Sequence, residues 1–174
     1  MKRGEMTENS INDPEPKRPN FLVAIIVLSS VSIVSSLYST LKSLFAGPMD
    51  KDQVEVYLAE QMESISLLRD QGADDIADMV MDVVDMSIYQ NNEVFYSFNV
   101  ATLLALFVGA ASMFLMFRLK KLGFHLYVAY SLLPIIWFYV FLPGDIIPNF
   151  LVFGSLFISA VFIVLYALNL KHMK

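Results

Sequence analysis

The chain has 174 residues, 56% of them hydrophobic and 17% charged, against roughly 45–50% and 25% in a soluble domain, so its surplus apolar surface needs a surrounding other than water. It has no cysteine, which excludes disulfides, thiolate metal sites, iron–sulfur clusters and thiol catalysis. Its two histidines, His125 and His172, sit beside basic residues at span ends and argue against a histidine-based metal site within one chain.

Residues 1–20 are polar, with Pro14, Pro16 and Pro19 interrupting any helix, and read as a flexible tail. The first apolar span covers 21–46. It is too long for the core of a secretory signal, and no A-x-A site follows, so it reads as a retained anchor. Ser29, Ser32, Ser36, Ser39 and Ser43 recur along it at spacings of three and four.

Segment 47–93 is too long and too periodic for a plain loop. Gly47-Pro48 breaks the first helix, and Asp50 with Gln53 forms a capping box that opens the next. Val54, Leu58, Met62, Ile65 and Leu68 share one face of that helix, and Gly72 ends it. Asp74 or Asp75 then caps a second helix, with Ile76, Met79, Val80, Val83 and Ser87 on its apolar face and a break at Asn91-Asn92. Asp75, Asp78, Asp82 and Asp85 fall on one face. They are a candidate cation or partner face. A row of that length covers about 15 Å at 1.5 Å per residue, so one ion cannot reach all four, and a solvated acidic face is the simpler reading.

The second span covers 94–117, a basic turn 118–123, the third span 124–142, an outer turn 143–147, the fourth span 148–170 and a basic end 171–174. Each span is near the roughly 20 residues that cross a hydrocarbon core as a helix. Ala101, Ala105, Gly109 and Ser112 form a small-residue stripe on span two. Helices in lipid associate by close packing and hydrogen bonds, so this stripe and the serine stripe predict one tight seam between spans one and two. A polar path for a solute is the functional alternative for the serines. No charged residue lies near the middle of any span, which argues against proton relays, ion-coupled transport and voltage sensing. Pro134 is a kink candidate. Tyr127, Tyr130, Trp137 and Tyr139, with Tyr38, Tyr96 and Tyr166, read as interfacial aromatic belts.

Nine of the twelve Lys and Arg lie in the tail, the 118–123 turn and the 171–174 end, whereas 47–93 carries twelve Asp and Glu against Lys51 and Arg69. Positive residues stay on the cytoplasmic side. Both termini and the 118–123 turn are therefore expected inside, and 47–93 outside. The expected fold is all-α: a four-helix transmembrane bundle with an extracytoplasmic helical hairpin between its first two membrane helices.

This layout resembles the claudin and other tetraspan families in topology. The Trp and Cys pair of the claudin outer motif are absent from 47–93, and so is the C-x-x-C of the vitamin K epoxide reductase type. Arg118-Leu119-Lys120-Lys121-Leu122-Gly123-Phe124-His125-Leu126-Tyr127 is similar to the LKK-x-GF-x-x-Y stretch of uncharacterised small four-span inner-membrane proteins of Bacteroidota-type bacteria. That resemblance implies a bacterial cytoplasmic membrane and no particular activity.

The functional expectation is a non-enzymatic accessory or scaffold subunit in membrane lipid. It would act through helix packing and an acidic outer docking surface, toward a protein partner or a second copy. No catalytic residue, metal, cofactor or nucleic acid is called for. The alternative is a carrier or binder of a small apolar or lipid molecule, in a cavity between spans three and four lined by Phe138, Phe141, Phe150, Phe153 and Phe157.

Overall fold

The computed structural model describes residues 19–174. The flexible-tail reading of residues 1–20 therefore lies, but for Pro19 and Asn20, outside the described residues. Those residues form six α-helices and two single 3-10 turns. Helix α1 (Asn20–Ala46) stops at Gly47, whose φ of +80° no branched residue adopts cheaply and whose N–H closes on the Ser43 carbonyl. Pro48 follows and cannot continue a helix.

Helix α2 (Lys51–Asp70) opens on the expected capping box. Asp50 accepts from the Gln53 N–H at 2.9 Å, and Gln53 accepts from the Asp50 N–H at 3.0 Å. It closes in a Schellman turn on Gly72, with the Ala73 N–H on the Leu68 carbonyl and the Gly72 N–H on the Arg69 carbonyl. Helix α3 (Asp74–Asn92) departs from expectation at its start. Neither Asp74 nor Asp75 caps it; Ala73 holds that position without a side-chain bond. Both carboxylates sit in the first turn, where they offset the positive end of the helix dipole.

Helix α4 (Phe95–Phe117) ends in a second Schellman turn, this one with a leucine in the left-handed position: Leu119 has φ 57°. That backbone costs roughly 1–2 kcal/mol, and burial of the Leu119 side chain in the bundle core offsets it. Helix α5 (Lys121–Phe141) runs through Pro134 without interruption, and α6 (Asn149–Ala167) follows the turn at Gly144–Ile146. Helices α1, α4, α5, and α6 with the residues up to His172, are long and apolar enough to cross a membrane.

Two cores hold the molecule. At the end where α4 turns into α5, Leu22, Ile25, Ile26 and Ile33 of α1 pack with Leu106, Met113 and Met116 of α4, Tyr127 of α5 and Tyr166 of α6. At the opposite end Met86 of α3 packs with Leu142, Ile147 and Val152, beside Tyr89, Ile135 and Phe138. The hairpin of α2 and α3 is thus seated on the α5–α6 turn by the C-terminal half of α3. Asn91 fixes that seat. It is buried, accepts from the Met49 N–H at 2.7 Å and donates to the Met49 carbonyl at 3.1 Å, joining the two junctions between hairpin and bundle.

Helix α4 packs against both α1 and α5. The most extensive contact is between α4 and α5, ahead of α1 with α4. A Cβ on Gly109 would come within 2.9 Å of the Tyr130 ring, and one on Gly123 within 2.5 Å of the Met116 backbone nitrogen and 2.9 Å of the Ser112 carbonyl oxygen. Gly109 of α4 therefore admits the Tyr130 ring of α5, and Gly123 of α5 admits the backbone of α4. The ring of Tyr130 needs a flat, side-chain-free surface, which Gly109 supplies.

Candidate functional site

All four small residues of α4 singled out from the sequence, Ala101, Ala105, Gly109 and Ser112, are buried. The serine stripe of α1 is divided. Ser29 is buried and Ser43 half-buried, while Ser32, Ser36 and Ser39 are exposed. The buried face of α1 is set by Leu22, Ile25, Ile26, Ile33 and Thr40, with Ser29 among them. Ser29 and the small residues of α4 thus belong to the packed interior, and three of the five serines do not. Serine tolerates either place because its hydroxyl can close on its own helix, as Ser112 does on Gly109, Ser131 on Tyr127 and Ser155 on Leu151.

The aromatic residues divide likewise. Tyr38, Tyr96 and Tyr139 are 71%, 59% and 59% exposed, and all three stand toward the hairpin end of their helices, as a belt requires. Tyr127, Tyr130 and Tyr166 turn inward instead. Tyr166 is fully buried, with its hydroxyl 2.9 Å from the Ser29 Oγ, 3.1 Å from the Ile25 carbonyl oxygen and 3.6 Å from the Met113 sulfur. The Tyr127 ring meets it edge-on at 4.6 Å. No spacing rule marks Tyr166; only its partner across the bundle does.

The five phenylalanines proposed to line a cavity do not converge. Phe138 stacks on Phe98 of α4 at 6.1 Å, and Phe141 meets Phe98 edge-on at 6.1 Å. Phe150 is half-buried, and Phe153 and Phe157 are 70% and 69% exposed on the outside of α6. Two clefts lie elsewhere: an apolar one of about 450 Å³ between α1 and α4, lined by Val27, Val34, Ala110 and Phe114 among others, and a more polar one among α1, α5 and α6. The cleft among α1, α5 and α6 has a volume of about 380 Å³, within the range of small-molecule sites. Leu28, Ile33, Pro134, Ile158 and Phe162 supply its apolar walls. Ser29, Ser32, Tyr127, Tyr130, Ser131 and Ser159 complete the lining, and the Ser159 hydroxyl donates across to the Ser131 carbonyl at 3.2 Å. The lining carries no charged group, so the cleft suits a neutral molecule with a modest polar part.

The hairpin carries the acidic residues. Asp75, Asp78, Asp82 and Asp85 are all exposed. Asp78 pairs with Arg69 across the two helices at 3.1 Å, an exposed contact of small energetic worth. Asp82 and Asp85 border a small open pocket with Asp145 from the α5–α6 turn. Among the described residues no group of three or more His, Asp or Glu side chains is placed to hold a metal ion. The row is split between an ion pair and the hairpin seat, and does not form one cage. Beside it large apolar groups face outward: Leu67, Ile76 and Met79 near the Arg69–Asp78 pair, and Val56 and Met62 along α2. The sequence reading placed Met62, Ile76 and Met79 on the inner faces. Ile65 is buried as expected, whereas in α3 the buried apolar positions are Ala77, Val84 and Met86.

Searches for a matching protein family, a characterised relative or a similar solved structure found no match to this chain, so no family is assigned through its tetraspan layout or its LKK-x-GF-x-x-Y stretch.

Proposed function

We propose that the chain is a non-enzymatic subunit or scaffold of a membrane assembly. In this reading it resides in a bacterial cytoplasmic membrane, with both termini and the 118–123 turn inside and the α2–α3 hairpin outside. The charge asymmetry along the sequence supports that orientation. The observation that carries the functional reading is the hairpin tip, where Leu67, Ile76 and Met79 are 54%, 54% and 45% exposed amid a strongly acidic surface. Apolar groups of this size on a helix outside the hydrocarbon mark an association surface. The acidic surroundings disfavour insertion among anionic headgroups, which attract basic helices, and point to a protein partner or a second copy.

A photo-crosslinking residue at Ile76 tests this in cells. One adduct of defined mass is expected there, and none at exposed Phe153 on the lipid-facing side of α6. Absence of an adduct at Ile76, with the chain correctly inserted, would contradict the reading.

A second reading rests on the cleft among α1, α5 and α6: binding of a neutral lipid or other apolar molecule through its serine and tyrosine lining. It predicts a retained neutral lipid in native mass spectra, lost on Ser32→Leu with Ser159→Leu. A lipid-free protomer in both cases would count against it.

A further inference from the structure

Two stretches far apart in sequence meet at the end of the bundle opposite the hairpin. The Lys174 N–H donates to the Leu119 carbonyl at 2.7 Å, and the Lys121 N–H donates to the Lys174 carbonyl oxygen at 2.9 Å. The side chain of Met173 is buried beneath this pairing, in the same core as Leu119 and Leu22. The backbone thus straps residues 171–174 onto the turn between α4 and α5. The consequence is electrostatic. Arg118, Lys120 and Lys121 from the turn, and Lys171 and Lys174 from the strap, are thereby gathered as five exposed cations at one end of the bundle, with the Arg118 guanidinium over the Phe114 ring at 4.4 Å. None of the five makes an ion pair among the described residues, and the acidic residues of the hairpin lie at the other end of the bundle.

The cluster stands where the apolar helices emerge. Leu122 and Leu168 are 59% and 64% exposed within one turn of the cations. Lysine stems can lie along such apolar surface while their ammonium groups reach the headgroup level. Inorganic phosphate has no use for the neighbouring leucines; an amphiphile does. Basic clusters at the ends of membrane helices recruit anionic headgroups in this way.

We propose that the 118–121 turn and the 171–174 strap together form a binding site for the phosphate headgroup of an anionic phospholipid. The site depends on the backbone pairing as well as on the charge, because the pairing brings Lys171 and Lys174 beside Lys120 and Lys121.

The full chain in nanodiscs of equal phosphatidylcholine and phosphatidylglycerol tests this, with retained lipid read by native mass spectrometry. Wild type is expected to retain phosphatidylglycerol in preference. Lys120→Gln, Lys171→Gln and Lys174→Gln should each reduce that preference, by about fivefold per removed lysine. Lys174→Pro is the decisive comparison. It removes the same charge as Lys174→Gln and in addition the N–H that donates to Leu119, and the preceding Met173 is already extended, at φ −103° and ψ 149°. A larger loss for the proline variant, with thermal stability of the bundle unchanged, supports the built site. Equal loss for the two would reduce it to diffuse charge and overturn it, as would an unchanged preference in the triple glutamine variant. Displacement of the retained lipid by excess inorganic phosphate would assign the site to free phosphate and also overturn the proposal.

Discussion

Tyr166 and Ser29, separated by 137 positions in sequence, place their hydroxyl oxygens 2.9 Å apart in the buried core. This contact ties α6 to α1, two helices that otherwise touch little. Tyr166→Phe keeps the ring and removes the polar contact. It is expected to lower stability by about 0.6 kcal/mol, and by no more than about 1.7 kcal/mol, the range for interhelical hydrogen bonds in membranes. Tyr166→Ala also empties the space of a fully buried ring, and should cost about 3–5 kcal/mol. Reversible unfolding in mixed micelles measures both. Equal losses for the two variants would mean that the ring contributes nothing beyond its hydroxyl.

Glycine substitutions separate the α4–α5 interface from the rest of the molecule. Gly109→Ala drives a methyl group to within 2.9 Å of the Tyr130 ring, and should destabilise by about 1–3 kcal/mol through overpacking. Tyr130→Ala in the same chain should relieve part of that loss, a non-additivity expected of groups in contact. Gly154→Ala meets nothing within 4 Å and serves as the neutral comparison. If Gly109→Ala proved as harmless as Gly154→Ala, α5 would not approach α4 there.

The serine stripe gives a third test. Ser32, Ser36 and Ser39 are exposed, so replacing all three by leucine should leave the thermal stability of the protomer unchanged, whereas Ser29→Leu removes the partner of Tyr166 and overfills a buried site. Thermal melts of the two variants in one detergent decide between this and a stripe packed along its whole length.

Asn91 clamps the hairpin to the bundle through two bonds to the Met49 backbone. Asn91→Leu leaves that half-buried N–H and carbonyl without their side-chain partner, and should cost about 1–3 kcal/mol. The loss should fall on the hairpin first. Hydrogen exchange across α2 and α3 is expected to accelerate while α4 and α5 remain protected. Uniform acceleration would show that the hairpin and bundle open as one unit.

These outcomes bear on what the sequence could reveal. Local chemistry was legible: the Asp50–Gln53 capping box, the Gly47 and Gly72 stops and all four apolar helices follow from residues within a turn of one another. Partner choice was not. The stripe of Ala101, Ala105, Gly109 and Ser112 marks a close approach on α4 but carries no sign of whether a serine helix or the flat ring of Tyr130 fills it. A serine stripe is equally mute, since a hydroxyl that bonds to its own helix is at home inside or outside the bundle. Tyr166 near a helix end has the sequence signature of a belt residue, and only the long-range contact with Ser29 shows otherwise. The phenylalanines failed as a cavity because a helix in lipid can be apolar all round, so its composition does not say which side faces protein.

The hairpin tip is the proposed association surface. Its most direct test is the mass of the intact assembly, purified in mild detergent, for wild type and for a chain carrying Leu67→Glu, Ile76→Glu and Met79→Glu. A defined complex is expected for wild type, with a partner or with a second copy, and a folded lone protomer for the variant. A lone protomer in both cases, or an unchanged complex in the variant, would contradict it.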